Sequence, residues 1–184
     1  MTDAELAAFL AQEAGRMLLI LQHSGQYSGK ELGQEGDRIA NDFLMGMIRM
    51  RRGSDAVLCE EEKDSAARLS ASRTWIIDPL DGTREFSEGR SDWAVHVALA
   101  VDGEPKVGAV ALPGLGLLLR SDLPIWVPPA PARLRMVVSR SRPAAEAMAV
   151  AGALDAEVIP MGSAGAKAMA VVRGEADIYL HSGG

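Results

Sequence analysis

Apolar residues recur every three or four positions in the first part of the chain, which is the spacing of one buried helix face. The pattern predicts a helix from Asp3 to Gln22, opened by a capping box of Thr2 and Glu5. The stretch from Gly25 to Gly36 is rich in Gly, Ser and Gln and predicts a connection. A second helix is expected directly after it, and Gly53 ends that helix.

Short apolar runs bounded by turn-forming residues follow, and they predict strands. Asp102 and Gly103 form a two-residue hairpin signal between two of these runs. This part of the chain is therefore expected to be α+β. The predicted strands are Ala56–Cys59, Thr74–Ile77, Ala94–Val101, Lys106–Leu112 and Leu117–Arg120.

The remaining sequence begins with a proline-rich stretch and then alternates strands with helices. Four prolines lie between Ser121 and Ala132 and predict a linker. The alternation is typical of an α/β unit. We therefore predict an α/β protein with an α+β amino-terminal half and an α/β carboxyl-terminal half. Its expected parts are residues 1–121, a linker at 122–132, and residues 133–184.

Composition excludes several kinds of partner. The chain has 19 basic and 25 acidic residues, a net charge of −6, which argues against a nucleic-acid polymer because phosphate contacts need a basic surface. The single cysteine, Cys59, excludes a disulfide within the chain, so a reducing, cytoplasmic location is expected. The amino terminus lacks the basic segment of a signal peptide, and no apolar run approaches the ~20 residues of a membrane span. No membrane association is expected.

The richest segment for chemistry is Trp75 to Phe86, where a short buried strand ends in two aspartates. Pro79 favours an extended conformation at Asp78, so the carboxylates of Asp78 and Asp81 are expected to converge. The Leu80 carbonyl can join them, and these are the hard oxygen ligands that Mg²⁺ prefers. The segment indicates a metal site. An ordinary turn is the alternative, because Asp, Pro and Gly are also good turn residues.

Two residues next to these aspartates suit an anion. Gly82 permits a sharp turn, and Thr83 can cap a short helix that begins there. The N–H groups at the start of a helix bind phosphate readily. A metal site beside a phosphate site indicates phosphoester chemistry.

Further carboxylates are placed in the same way. The run Val57 to Glu62 is a second strand that delivers carboxylates at its end, among them Glu60 and Glu61. Asp37 follows Gly36 and is expected just before the second helix. These positions make the three acidic residues candidates for the same site.

The segment Trp75 to Phe86 resembles the signature of the lithium-sensitive, Mg²⁺-dependent phosphatases typified by inositol monophosphatase. The pair Glu60–Glu61 and the run Gly162 to Gly165 fall in the expected order, and the resemblance extends from about Asp37 to Gly184. It implies a layered αβαβα sandwich. Family members continue with a metal-binding Asp in a Trp-Asp motif, so the chain is expected to be carboxyl-terminally incomplete.

The resemblance implies two or three Mg²⁺ ions and inhibition by Li⁺. Glu60, Asp78 and the Leu80 carbonyl would hold one ion. Asp78 and Asp81 would share a second ion. Glu60, Leu80 and Asp81 are also expected to contact the substrate.

The same resemblance implies a catalytic set. Asp37 and Thr83 would orient and deprotonate the attacking water, and Glu61 is a further catalytic candidate. The backbone N–H groups of Gly82 and Thr83 would hold the phosphate. Residues 1–121 are therefore predicted to bind metal and phosphate, and residues 133–184 to begin the unit that selects the substrate.

The carboxyl-terminal half offers two basic elements, each between a strand and a helix. Ser139 and Arg140 follow one strand, and Ser163 and Lys167 open a helix. Arginine can meet phosphate with two parallel hydrogen bonds, so two such elements fit a substrate with two phosphates. The patterns resemble the CysQ-type 3′(2′),5′-bisphosphate nucleotidases of sulfate assimilation. They imply hydrolysis of 3′-phosphoadenosine 5′-phosphate, a small phosphorylated molecule, to AMP and phosphate.

Several alternatives stay open from the sequence. Inositol 1-phosphate and fructose 1,6-bisphosphate are substrates for the same chemistry. A non-catalytic metal- or nucleotide-binding remnant is a different class, favoured by the expected loss of the last metal ligand. Plainer interpretations are a simple helix cap for Ser163, a solvated side chain for Lys167 and a structural residue for His96, which lies inside an apolar strand. A homodimer is also left open.

Overall fold

The computed structural model describes residues 1–181. The chain divides into two units, Met1–Leu123 and Pro124–Gly184. The division expected from the sequence, with a separate role for each part, stays a prediction.

The first unit contains three helices and one five-stranded sheet. Its strand order is β1-β2-β3-β4-β5, with β1 parallel to β2 and the other neighbours antiparallel. The helices are α1 (Asp3–His23), α2 (Gly29–Arg52) and α3 (Thr83–Ser87). The strands are β1 (Ala56–Cys59), β2 (Arg73–Asp81), β3 (Ala94–Val101), β4 (Glu104–Leu112) and β5 (Leu117–Arg120). Two short 3₁₀ helices are Ala66–Ser70 and Pro113–Leu115.

Local signals account for most of these elements. The capping box of Thr2 and Glu5 is present at the start of α1. Asp102 and Gly103 have φ angles of 52° and 80°, the left-handed conformation that a tight hairpin needs, and they join β3 to β4 as predicted. The predicted strands are all found, and β2 is longer than expected.

The sheet buries one face against α1, which packs on β3 and β4. Val95, Val97 and Leu99 are fully buried on β3 and alternate with half-buried residues such as His96. Side chains alternate between the faces of a strand. His96 therefore lies on the face opposite this core.

The second helix begins earlier than the sequence predicts, because α2 already includes most of the expected connection. A Cβ at Gly33 would lie 2.5 Å from Ser87 Oγ, and one at Gly36 would lie 2.7 Å from Phe86 Cε1. These glycines allow α2 to pack closely on α3. They are packing positions inside a helix and not signs of a loop.

The second unit alternates strands and helices, as predicted. Within residues 124–181, three parallel strands lie in the order β7-β6-β8, so their carboxyl ends meet at one edge of the sheet. Among residues 1–181, no helix combines the length and the apolar composition that crossing a bilayer requires. The elements are β6 (Arg135–Ser139), α4 (Ala145–Ala153), β7 (Glu157–Met161), α5 (Ala164–Val172) and β8 (Ile178–Tyr179).

Candidate active site

The end of β2 carries its two aspartates on one side of the sheet. Asp78 pairs with His96 on β3, and Asp81 pairs with Ala94. Two residues separate the aspartates on β2, whereas only Val95 separates their partners on β3, which is a β-bulge. In a regular strand, residues three positions apart point to opposite faces. The extra residue brings Asp81 to the side of Asp78.

The bulge creates a cluster of potential metal ligands. One ligand atom each from Asp78, Asp81 and His96 lies within 4.8 Å of the others. Within the cluster, His96 Nε2 lies 3.1 Å from Asp81 Oδ2. Paired carboxylates at this spacing fit a divalent cation such as Mg²⁺. The described residues therefore include a group that can hold a metal ion.

The electrostatics of Asp78 favour positive charge at this cluster. Burial, together with the negative charges of Asp81 and Glu60, raises the pKa of Asp78 to about 7. Its Oδ1 accepts a hydrogen bond from the backbone N–H of Leu80 at 3.2 Å, which offsets part of the effect. A bound cation would stabilise the ionised form of this carboxyl.

Glu60 reaches the same edge of the sheet from the neighbouring strand. The parallel register pairs Cys59 with Ile77. Glu60 directly follows the end of β1, and Asp78 is the next residue on β2. Glu60 N–H donates to the Ile77 carbonyl at 3.3 Å. The structure brings Glu60, Asp78 and Asp81 to one place, and their metal-binding roles stay predictions.

The turn after β2 differs in one detail from the sequence prediction. Gly82 occupies the N-cap position of α3 with a φ of 93°, and Thr83 is the first residue of the helix, so Thr83 does not cap it. The Thr83 hydroxyl lies 3.3 Å from Asp37 Oδ1 and 3.2 Å from the Leu80 carbonyl oxygen. Because the hydroxyl has one hydrogen, it donates to either Asp37 Oδ1 or the Leu80 carbonyl oxygen at a given moment. The hydroxyl thus links the aspartate of α2 to the end of β2.

Asp37 lies inside α2, which corrects the expectation that it precedes the helix. Burial and the negative charge of Glu61 raise its pKa to about 6, although the hydrogen bond from Thr83 opposes this shift. Asp37 and Glu61 line a shared cavity of about 280 Å³. Asp37 and Thr83 line another of about 440 Å³, which Lys30 and Arg84 also border. The three predicted catalytic residues, Asp37, Thr83 and Glu61, therefore line neighbouring cavities that share Asp37.

Two consecutive hydrogen bonds attach the loop that follows β1 to α2, and the sequence did not predict them. The Cys59 thiol donates to Asn41 Oδ1 at 3.2 Å, and Asn41 Nδ2 donates to Glu62 Oε1 at 3.0 Å. Burial raises the pKa of the Cys59 thiol, which keeps it a donor. Asn41 of α2 thus anchors the carboxylate-bearing loop.

In the second unit, Ser139 and Arg140 lie at the carboxyl end of β6. Arg140 N–H donates to the Met161 carbonyl at 3.1 Å, and Ser139 Oγ accepts from Arg142 N–H at 3.2 Å. Ser139 pairs with Met161 of β7, so residues after both strands share one edge. Ligands commonly bind at this edge of parallel sheets.

Ser163 and Lys167 lie at the start of α5. Ser163 caps the helix, with its Oγ accepting from Ala166 N–H at 2.9 Å. Lys167 is only 6% exposed, and its Nζ donates to the carbonyls of Gly162 and Ser163 at 2.6 and 2.8 Å. It also lies 5.4 Å from the ring centre of Tyr179. The plainer interpretation of Lys167 as a solvated side chain is wrong, and its substrate role stays a prediction.

Comparison with known proteins identifies the family of the chain. Residues 3–123 match the sequence model of the inositol monophosphatase family. A Mycobacterium leprae (strain TN) protein named 3′-phosphoadenosine 5′-phosphate phosphatase is 48% identical over 199 aligned positions, covering 100% of this chain and 73% of that protein. The chain belongs to the inositol monophosphatase family.

Solved structures show the family fold. Inositol monophosphatase II from Staphylococcus aureus MSSA476 has a TM-score of 0.78 at 21% identity, covering 94% of this chain and 72% of that one. CysQ from Bacteroides thetaiotaomicron, described as a bacterial member of the inositol monophosphatase family, has a TM-score of 0.76 at 23% identity, covering 95% and 78%. The predicted family and its α/β fold are confirmed.

His96 contacts a predicted metal ligand, which the sequence did not predict. The interpretation of His96 as a structural residue stays open, and its Nε2 lies 3.1 Å from Asp81 Oδ2. A single polar residue in an apolar strand was the available signal. Its partner lies 15 positions away and is identified only by the pairing of β2 with β3.

Proposed function

We propose that this chain is a Mg²⁺-dependent phosphatase that hydrolyses 3′-phosphoadenosine 5′-phosphate to AMP and phosphate. One observation carries the phosphatase assignment: the hydrogen-bonded pair of Asp37 and Thr83 lies at the turn that holds Asp78 and Asp81. A proton acceptor thus stands beside a group that can hold a metal ion. The name of the 48% identical relative supports the substrate.

The donor chemistry supports magnesium. Asp78, Asp81 and the Leu80 carbonyl would hold the cation, with Glu60 from the adjacent strand, and all of them offer oxygen. Two or three ions and inhibition by Li⁺ are part of the proposal. When bound, the cation supplies Lewis-acid charge that offsets the negative charge of the phosphate ester.

Asp37 would accept the proton of the attacking water. A carboxyl group with a pKa of about 6 is largely ionised at neutral pH and is still a useful base there. The hydrogen bond from the Thr83 hydroxyl to Asp37 Oδ1 orients the carboxylate. Glu61 borders the same cavity and keeps negative charge near the base.

Residues of the second unit would select the substrate. Ser139 and Arg140 would contact the nucleotide, and Ser163 and Lys167 the 5′-phosphate; their placement at the carboxyl edge of the second sheet supports this assignment. The proposal includes a role in sulfate assimilation and a cytoplasmic location, which the single cysteine supports. A homodimer remains part of the proposal to be tested by sedimentation.

Phosphate release by the full chain tests the proposal. Turnover of 3′-phosphoadenosine 5′-phosphate is compared with that of inositol 1-phosphate and fructose 1,6-bisphosphate, each with Mg²⁺ and with EDTA. We expect Mg²⁺-dependent release that is fastest with the nucleotide and is inhibited by Li⁺. Faster release from inositol 1-phosphate would overturn the substrate, and release from none of them would overturn the activity.

A further inference from the structure

His96 lies against a proposed metal ligand. Its Nε2 is 3.1 Å from Asp81 Oδ2, and the two side chains are only 29% and 15% exposed. Strand pairing fixes the contact, because His96 is opposite Asp78 and the bulge turns Asp81 toward it. The contact is thus built into the sheet and does not join two flexible surface side chains.

The charge of the acceptor determines the direction of this hydrogen bond. When Asp81 is ionised, as a metal ligand is, its carboxylate only accepts hydrogen bonds. The tautomer of His96 that makes this contact is then the one that carries its hydrogen on Nε2 and donates it to Asp81. A ring nitrogen that carries a hydrogen has no lone pair for a metal ion. Through this nitrogen, His96 acts on the carboxylate and not on the cation.

We propose that His96 is a positioning residue that orients the Asp81 carboxylate for the metal ion. The hydrogen bond restricts rotation of the carboxylate, so less conformational freedom is lost when the ion binds. Loss of such a partner of a metal ligand typically weakens metal affinity or activity about 10–100-fold. The inference rests on the proposed function in taking Asp81 as a ligand.

Titration of the full chain with Mn²⁺, followed by the electron paramagnetic resonance signal of the free ion, tests this role without requiring turnover. His96→Leu removes the donor and keeps a similar volume, and we expect a dissociation constant about 10–100-fold higher. His96→Gln places an amide N–H at the same reach, so we expect it to restore affinity. In phosphate release, His96→Leu should raise the KM for Mg²⁺ much more than it lowers kcat at saturating Mg²⁺.

Two outcomes would overturn the inference. One is wild-type Mn²⁺ affinity in His96→Leu. The other is a His96→Gln variant as weak as His96→Leu, because the imidazole itself would then be required. His23→Gln, at the end of α1, is the matched control, and thermal unfolding shows whether each variant folds. If the wild type binds Mn²⁺ but releases no phosphate from the nucleotide, the proposed function fails and the His96 comparison still stands.

Discussion

Asp37 is a carboxyl group whose surroundings oppose its ionisation, since burial and the charge of Glu61 raise its pKa to about 6. We expect Asp37→Asn to lower kcat about 10²–10⁴-fold, because the amide cannot accept the proton. The variant should unfold at no lower a temperature than the wild type, because a partly buried charge is removed. Phosphate release and thermal unfolding measure the two effects.

The matched control is Asp42→Asn in the same helix. Asp42 is 65% exposed and pairs with Arg38 at the surface, so kcat should not change. An Asp37→Asn variant that turns over as fast as this control would remove Asp37 from the mechanism.

Lys167 is a buried ammonium group that clamps two backbone carbonyls before α5. We expect Lys167→Met to reduce turnover of 3′-phosphoadenosine 5′-phosphate much more than that of inositol 1-phosphate, because only the first substrate offers a second phosphate. Methionine keeps the apolar stem in place. Equal losses with both substrates would show a purely structural clamp, and Lys106→Met, at an exposed residue, is the control.

At the scale of elements, the packing of α2 on α3 depends on Gly36. A Cβ added at this position would lie 2.7 Å from Phe86 Cε1 and 3.0 Å from Leu80 Cδ2. We expect Gly36→Ala to destabilise the fold by about 1–3 kcal/mol through overpacking, and to lower activity because Asp37 is the next residue. Urea unfolding and phosphate release measure these effects.

Gly46 of the same helix is the matched control. A Cβ there has no heavy atom within 4 Å, so alanine should stabilise the helix by about 1 kcal/mol. If both substitutions stabilise the protein, the packing of α2 on α3 is looser than described.

The same glycines show what the sequence could predict. Strands, the Asp102–Gly103 turn and the convergence of Asp78 with Asp81 depend on neighbouring residues, and they were predictable. The length of α2 was not, because Gly33 and Gly36 are selected by contacts with distant side chains of α3. The contact of His96 with Asp81 depends on the register of two strands, which no local pattern determines.

At the scale of the molecule, protons and metal compete for the same carboxylates. The folded-state pKa of Asp78, about 7, lies above its ordinary value of 3.8, so its neutral form stabilises the metal-free protein at low pH. This contribution falls as pH rises from about 4 to about 7. Mg²⁺ needs the ionised form, so we expect Mg²⁺ to raise the melting temperature more at pH 8 than at pH 6.

Melting curves with Mg²⁺ and with EDTA at the two pH values check this expectation. In Asp78→Asn the effect of Mg²⁺ should be small at both pH values, because the variant lacks a proposed metal ligand whose titration changes binding between them. Asp122→Asn, in a surface pair with Arg120, should behave as the wild type does. An equal effect of Mg²⁺ at both pH values would contradict the competition.

The bulge in β2 accommodates one extra residue between the two aspartates, and it fits that number of residues alone. Substitution of Pro79 or Leu80 leaves the spacing intact, and deletion of either residue would give a regular strand in which aspartates two positions apart still share a face. Insertion of one more residue would turn Asp81 to the face that buries Ile77. A carboxylate there would enter an apolar core and leave the cation without its second aspartate. Divergence at this turn is therefore open to changes of residue type but closed to single insertions.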